Sequence, residues 1–328
     1  MRDLVEAADL NALLRSVDGM CAAREWDELI DLAEACEDAL ERGKQLWPIS
    51  AHIDYRIALE APGSYAASVL DGDGRTTVGR FAPGPLTEVA ASTHTWNELA
   101  DHVTDPVTAS SVAQERALRG ERLDDDPRAH AAEIDLPLHL ESWEPVYALP
   151  TFRASLVEVP EPWEPKSRWE ELDARPGEAI PDDDVEEALL ELVSPWTSES
   201  NGAARVAVVE GGAASAVAPL TLGPVRLASI GLDEALQRMA WAAAGGGAYG
   251  RRRGAAFGRF SAWYTAALLA DLPWPSPSSD VGEHAARLRW YVWEEEGPEE
   301  GWVLRMAVED PEGGWSAAIG ATDVPEAE

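Results

Sequence analysis

Lysine is almost missing from this chain: Lys44 and Lys166 stand alone against 24 Arg. Cysteine is as scarce. Cys21 and Cys36 have no secretory apolar segment ahead of them, so they read as free thiols of a cytoplasmic protein and not as a disulfide framework. No uncharged apolar run reaches 18 residues, which leaves no segment suited to cross a bilayer. Basic charge is the largest deficit. With 60 Asp plus Glu against 26 Lys plus Arg, the formal net charge is −34. That balance argues against nucleic acid and anionic membranes as partners, because binding to either runs through Lys and Arg. A basic protein partner, or solubility itself, fits the charge better.

What is present points to folded protein. Apolar residues make up 45% of 328, and 14 Trp are too many for a disordered chain. Arg, Ala, Gly and Pro are all abundant and Lys is not, as GC-rich coding would produce.

Three regions differ in character. Residues 1–120 read as a helical domain. Leu10, Leu13, Leu14 and Val17 recur at helical spacing, as do Trp26, Leu29, Ile30, Ala33, Cys36 and Leu40, and Pro48 suits the start of a further helix. Thr95-Trp96-Asn97-Glu98 is a capping box, and a helix is expected over 107–120. Residues 121–200 form an acidic, Pro- and Trp-rich connecting segment with a net charge of −16, expected to be largely extended, with short strands near 146–159 and a helix after Asp182-Asp183-Asp184. Residues 201–328 read as an α+β domain. A strand at Arg205–Glu210 is expected to turn at Gly211-Gly212 and return through Ser215–Pro219. Val225–Ile230 is a further strand, Asp233–Ala244 and Ala255–Asp271 are helices, and Trp274–Ser278 is a linker. Arg287–Glu294, Trp302–Glu309 and Trp315–Ala321 alternate as a three-stranded meander. The fold class is therefore α+β: an N-terminal helical region, then an antiparallel sheet packed against a helix pair.

One stretch departs from the acidic background. Residues 201–280 carry a net charge of +2, and the joint between the two helices there holds Gly245, Gly246, Gly247 and Gly250, then Arg251, Arg252, Arg253 and Arg259. Gly245, Gly247 and Gly250 satisfy G-x-G-x-x-G, but a helix and not a strand precedes them, and no Lys-Ser/Thr pair follows. Three Arg at the positive end of a helix are disfavoured by roughly 0.3–1 kcal/mol each, and an anion there reverses the sign. Gly247, Gly250, Arg251, Arg252, Arg253 and Arg259 are thus the candidate site for a phosphate or carboxylate ligand. The alternative is that these Arg pair with the chain's own acids, for example Glu294–Glu296, or cap the preceding helix. An apolar hairpin over 235–272 also invites a membrane reading. Arg259 inside the second helix argues instead for a core hairpin with a stripe of Phe260, Trp263, Ala267 and Ala270.

Other chemistry finds no support. The six His (52, 94, 102, 130, 139 and 284) are scattered, so they read as surface or cap residues, and no metal site is expected. His130-x-x-Glu133 and His139-x-Glu141 are chance spacings in so acidic a chain, and Asp71-Gly72-Asp73-Gly74 is a turn and not a calcium loop. No G-x-S-x-G elbow occurs, both Cys lie on apolar helix faces, and no catalytic residue or cofactor is indicated.

Glu41–Pro62 (ERGKQLWPISAHIDYRIALEAP) and Gly245–Leu272 (GGGAYGRRRGAAFGRFSAWYTAALLADL) resemble stretches of uncharacterised proteins from GC-rich actinobacteria. The resemblance covers about 50 residues. It implies that the Arg-rich joint is a family feature, and it brings no activity. The leading functional reading is an acidic interaction protein of unknown partner. A ligand-binding protein or enzyme using the joint at 245–259 is the alternative, and an immunity-type inhibitor of a basic toxin is a third.

Overall fold

A computed structural model describes residues 2–70, 83–129, 135–161, 164–173, 175–221, 223–295 and 300–325. The chain divides into two compact units. One comprises residues 1–139 and 149–159, the other residues 140–148 and 160–328.

The first unit is built from α1 (Arg2–Ala7), α2 (Leu10–Ala23), α3 (Trp26–Glu41), α4 (Trp47–Glu60), α5 (Gly63–Ser68), α6 (Leu86–Thr93), α7 (Trp96–Leu99) and α8 (Pro106–Leu118). A small hairpin, β1 (Thr151–Arg153) with β2 (Leu156–Glu158), completes it. α4 is its axis. Ile49, Ile53 and Ile57 face a cluster formed with α2 and α3 (Leu13, Val17, Leu29, Leu32), while Tyr55, Ala58 and Leu59 face a second with Val89, Trp96, Leu99 and Val112. Buried on both sides, α4 also holds Arg56 inside, between Asp18 at 2.6 Å and Glu60 at 2.7 Å. The expected capping box is present: Glu98 accepts from the Thr95 backbone and hydroxyl, both at 2.8 Å. Asp105 caps α8, whose first residue is Pro106.

The second unit is α+β. Its elements are β3 (Glu170–Leu172), α9 (Asp183–Glu191), α10 (Ser194–Ser198), β4 (Ala203–Glu210), α11 (Ala213–Val217), β5 (Val225–Ile230), α12 (Leu232–Ala244), α13 (Ala255–Leu269), α14 (Ser278–Ala285), β6 (Arg289–Glu294), β7 (Trp302–Asp310) and β8 (Trp315–Asp323). Six strands form one antiparallel sheet in the order β3-β5-β6-β7-β8-β4. The expected meander is its centre. Met306 lies opposite both Val292 and Ile319, and Val308 opposite both Trp290 and Ala317, so these residues share one face. Leu189, Leu192, Met239 and Leu269 of α9, α12 and α13 and the loop after α9 cover that face. Within the helix pair, Trp263 and Ala267 are buried while Phe260 and Ala270 are half-buried. No described helix is long and apolar enough to cross a membrane.

The strand expected over Ser215–Pro219 does not form. Residues Ala213–Val217 are helical, and β4 pairs with β8 instead, Val206 opposite Ile319 and Val208 opposite Ala317. Gly211, at φ 106°, turns the chain off the sheet plane, and the Ala213 N–H bonds the Glu309 carboxylate at 3.1 Å. Ala213, Ala216 and Val217 then pack over Trp293, Ala307 and Ala318, so the sheet is covered on its second face as well. Alanine-rich sequence is compatible with either periodicity, and the long β8 offers β4 a full eight-residue partner. The expected linker ends sooner than expected, because Ser278 begins α14 after Pro277. The turn expected at Asp71–Gly74 lies outside the described residues.

Candidate functional site

The Gly/Arg joint leaves α12 at Gly245 and enters α13 through Gly254, whose φ of 99° only glycine adopts readily. Between them the backbone doubles back, so that a side chain on Gly246 or Gly250 would overlap the other residue's backbone. The N–H groups of Arg253 and Gly254 return to the Ala244 carbonyl at 2.8 and 3.4 Å, which closes the C-terminal end of α12.

Oxygens of the same chain take three more of the joint's backbone donors. The Ala248 N–H donates to Asp323 Oδ2 at 2.6 Å, the Tyr249 N–H to Ser200 Oγ at 3.1 Å, and the Arg251 N–H to Glu199 Oε2 at 3.1 Å. Gly247, at φ 70°, lies where a side chain would overlap the Asp323 carboxylate. Gly250 is held against the Pro195 carbonyl and Glu199. Arg251 has an exposed side chain, and Arg252 is half-buried and engaged. Arg253 bonds Glu191 at 2.8 Å and Ser194 at 3.0 Å, with its guanidinium 3.9 Å from the Phe257 ring.

Arg259 is set apart from the others. It is fully buried and grips Glu144 in two bonds, Nε to Oε2 at 2.8 Å and Nη2 to Oε1 at 2.6 Å. The same carboxylate accepts from Trp263 Nε1 at 2.8 Å, the Tyr147 hydroxyl at 2.9 Å and the Glu141 N–H at 2.9 Å. Burial, and then the Glu144 charge, raise the Tyr147 phenol well above its ordinary range, which keeps it a donor. The Trp143 ring lies tilted against Trp263, with centroids 4.5 Å apart. Residues 140–148 are thereby pinned to α13. The structure therefore separates the predicted residues: Gly247 to Arg253 line the joint's surface, and Arg259 belongs to the core. Of the acids named as partners from sequence, Glu294 pairs with Arg226 and Glu295 with Arg305, and Glu296 lies outside the described residues. The actual carboxylates come from 140–200 and the chain's end, distant in sequence, and no local spacing signals them.

The histidines expected at the surface or at caps divide. His94 is the C-cap residue of α6 and is buried, its ring nitrogens bonded to the carbonyls of Ala90 and Ala61 at 3.0 and 2.7 Å. His52 is a correction. It lies on the all-round buried α4, stacked with Tyr55, because α4 serves two cores and has no solvent face. His139 bonds Asp124 at 2.8 Å. Among the described residues no group of three or more His, Cys, Asp or Glu is arranged to hold a metal; His130 and Glu133 lie outside them.

A second charged feature lies on α3. Trp26, Leu29, Ala33 and Cys36 point inward, as their spacing predicts, whereas Leu40 is exposed, and the opposite face carries Asp27, Asp31, Glu34, Asp38 and Glu41, all exposed. Their spacing is 4-3-4-3, which aligns them along about 21 Å of one helix face. The helix contains seven acids and no base. No ion pair reaches these five residues among the described residues; Asp27 accepts only the Tyr65 hydroxyl, at 2.9 Å. The signal was present in the sequence, at the positions between the apolar ones.

The model of a family of unknown function, DUF6183, matches residues 11–325. No curated protein matches the chain, and no solved structure does.

Proposed function

The chain belongs to the DUF6183 family of unknown function, and we propose that it is an interaction protein whose acidic face receives a basic partner. The observation that carries this is the α3 seam: five exposed acids in register whose carboxylates take part in no ion pair among the described residues, the neighbouring Arg42 guanidinium bonding the Asp38 backbone carbonyl instead. Like charges one helical turn apart repel by roughly 0.2–0.5 kcal/mol per pair at low salt. A partner helix presenting Arg or Lys at matching spacing relieves that repulsion and gains charge-assisted hydrogen bonds. The joint supports the same reading indirectly. Two of its backbone donors, those of Ala248 and Arg251, and the Arg253 side chain already hold carboxylates of the chain, so an external phosphate would have to displace those to use them. An inhibitor of a basic toxin is one form such a partner relationship takes.

The test is a titration with a helical peptide carrying Arg at 4-3-4-3 spacing and a control of the same composition with the Arg scattered. The matched peptide binds the wild type, and Asp31→Asn/Glu34→Gln/Asp38→Asn loses that binding. Equal binding of both peptides removes the seam as the site.

A further inference from the structure

At the end of the sheet nearest the joint lies a buried acid, Asp323, for which no ion pair is formed among the described residues. Glu144 is paired with Arg259 and Glu115 with Arg119, and Glu234 lies 3.6 Å from Lys166. Asp323 is 1% exposed, accepts one backbone N–H on Oδ2, and leaves Oδ1 with no hydrogen-bond partner. A buried carboxylate without a cation is costly, and proteins normally pair it or bind something to it.

Its surroundings are aromatic. Trp302 lies directly opposite Asp323 in the β7–β8 ladder. Trp302 stacks on Trp241 at 4.8 Å, and Trp196 stands edge-on to both at 5.8 Å. Gly247 joins the two sides: a Cβ there would overlap Asp323 Oδ2 and come within 3.2 Å of Trp196 Cγ. The indole N–H groups of Trp196 and Trp241 are also buried without acceptors. These neighbouring residues leave unused a carboxylate oxygen and two N–H donors, beside π faces that favour a cation. Trp241 and Trp302, both half-buried, form its outer wall beside a glycine-rich backbone that has few side chains to move aside.

We propose that Asp323, Trp196 and Trp241 bind a small ammonium compound that also carries an oxygen acceptor, of the ethanolamine kind. The ammonium group pairs with Asp323 Oδ1, and the oxygen accepts from the indole N–H groups. This site is independent of the α3 seam and of the basic partner proposed there.

The experiment titrates the full chain with ethanolamine, methylammonium and ethylene glycol, followed by intrinsic tryptophan fluorescence and by melting temperature. Sodium chloride at equal ionic strength is the reference. Ethanolamine gives a saturable response, methylammonium a weaker one and ethylene glycol none. Asp323→Asn keeps the acceptor for the Ala248 N–H and binds ethanolamine at least about tenfold more weakly, the loss expected for a charged hydrogen bond. Trp241→Phe keeps the ring, weakens ethanolamine and leaves methylammonium unchanged. Absence of any response beyond sodium chloride, as for a site filled by water, overturns the proposal. So does ethanolamine binding that is unchanged in Asp323→Asn, or an ethanolamine affinity that is unchanged in Trp241→Phe.

Discussion

Replacing Arg259 by Met removes one half of a fully buried ion pair. The Glu144 carboxylate then keeps only Trp263, Tyr147 and the Glu141 N–H as donors, none of them charged. Leaving one ion of such a pair uncompensated costs about 3–5 kcal/mol. Glu144→Gln is expected to cost a similar amount by removing the buried counter-charge of the guanidinium. Arg259→Met/Glu144→Gln together removes both buried charges and leaves the glutamine amide oxygen as an acceptor for the neutral donors. The double variant should therefore be no less stable than either single one, with a coupling of several kcal/mol. Urea unfolding followed by tryptophan fluorescence and far-UV circular dichroism reads this, with the transitions of the two compact units fitted separately. A single substitution costing less than about 1 kcal/mol, or two single costs that simply add, would refute the assignment of this pair as the clasp on residues 140–148.

Three further outcomes follow from the geometry. Burial pushes the Cys21 and Cys36 thiols up to about 11, so neither should react with a thiol reagent near pH 8 until the protein is unfolded; prompt reaction of the native chain contradicts their burial. The Arg128 guanidinium, bonded to both Asp126 oxygens at 3.0 and 2.7 Å, holds that carboxyl well below its usual range. A lowered folded-state pKa contributes stability that is present above the ordinary aspartate range and lost as the pH falls through the lowered value. Arg128→Gln should accordingly begin acid unfolding at higher pH than wild type, read by circular dichroism. Gly258→Ala would place a Cβ against the Ala240 carbonyl where α12 and α13 cross, and should lower stability by about 1–3 kcal/mol despite the better helix propensity of alanine; a neutral or raised melting temperature contradicts that close approach.

Much of the fold was legible because the strongest patterns are also the most local. Leu29, Ala33 and Cys36 placed α3 correctly, Asp182 placed the start of α9, and the alternation of Leu304, Met306 and Val308 placed β7. Misreadings arose where the deciding partner is far away in sequence. Residues 215–219 read as a returning strand because nothing nearby reveals that β8 takes β4 as its neighbour. The joint stood out by its Arg and Gly, but its carboxylates lie up to 115 residues away, as Glu144 does from Arg259. Asp323 gave no signal at all. Its significance comes from burial and from three tryptophans that only the folded chain brings together.

The central claim is that the α3 seam receives a basic partner. The most direct measurement is fluorescence anisotropy of the matched Arg peptide with wild type and with Asp31→Asn/Glu34→Gln/Asp38→Asn, across rising salt. The account predicts binding to the wild type that weakens steadily as salt screens exposed charges, and none to the variant. Affinity indifferent to salt, or equal in the two proteins, would contradict it.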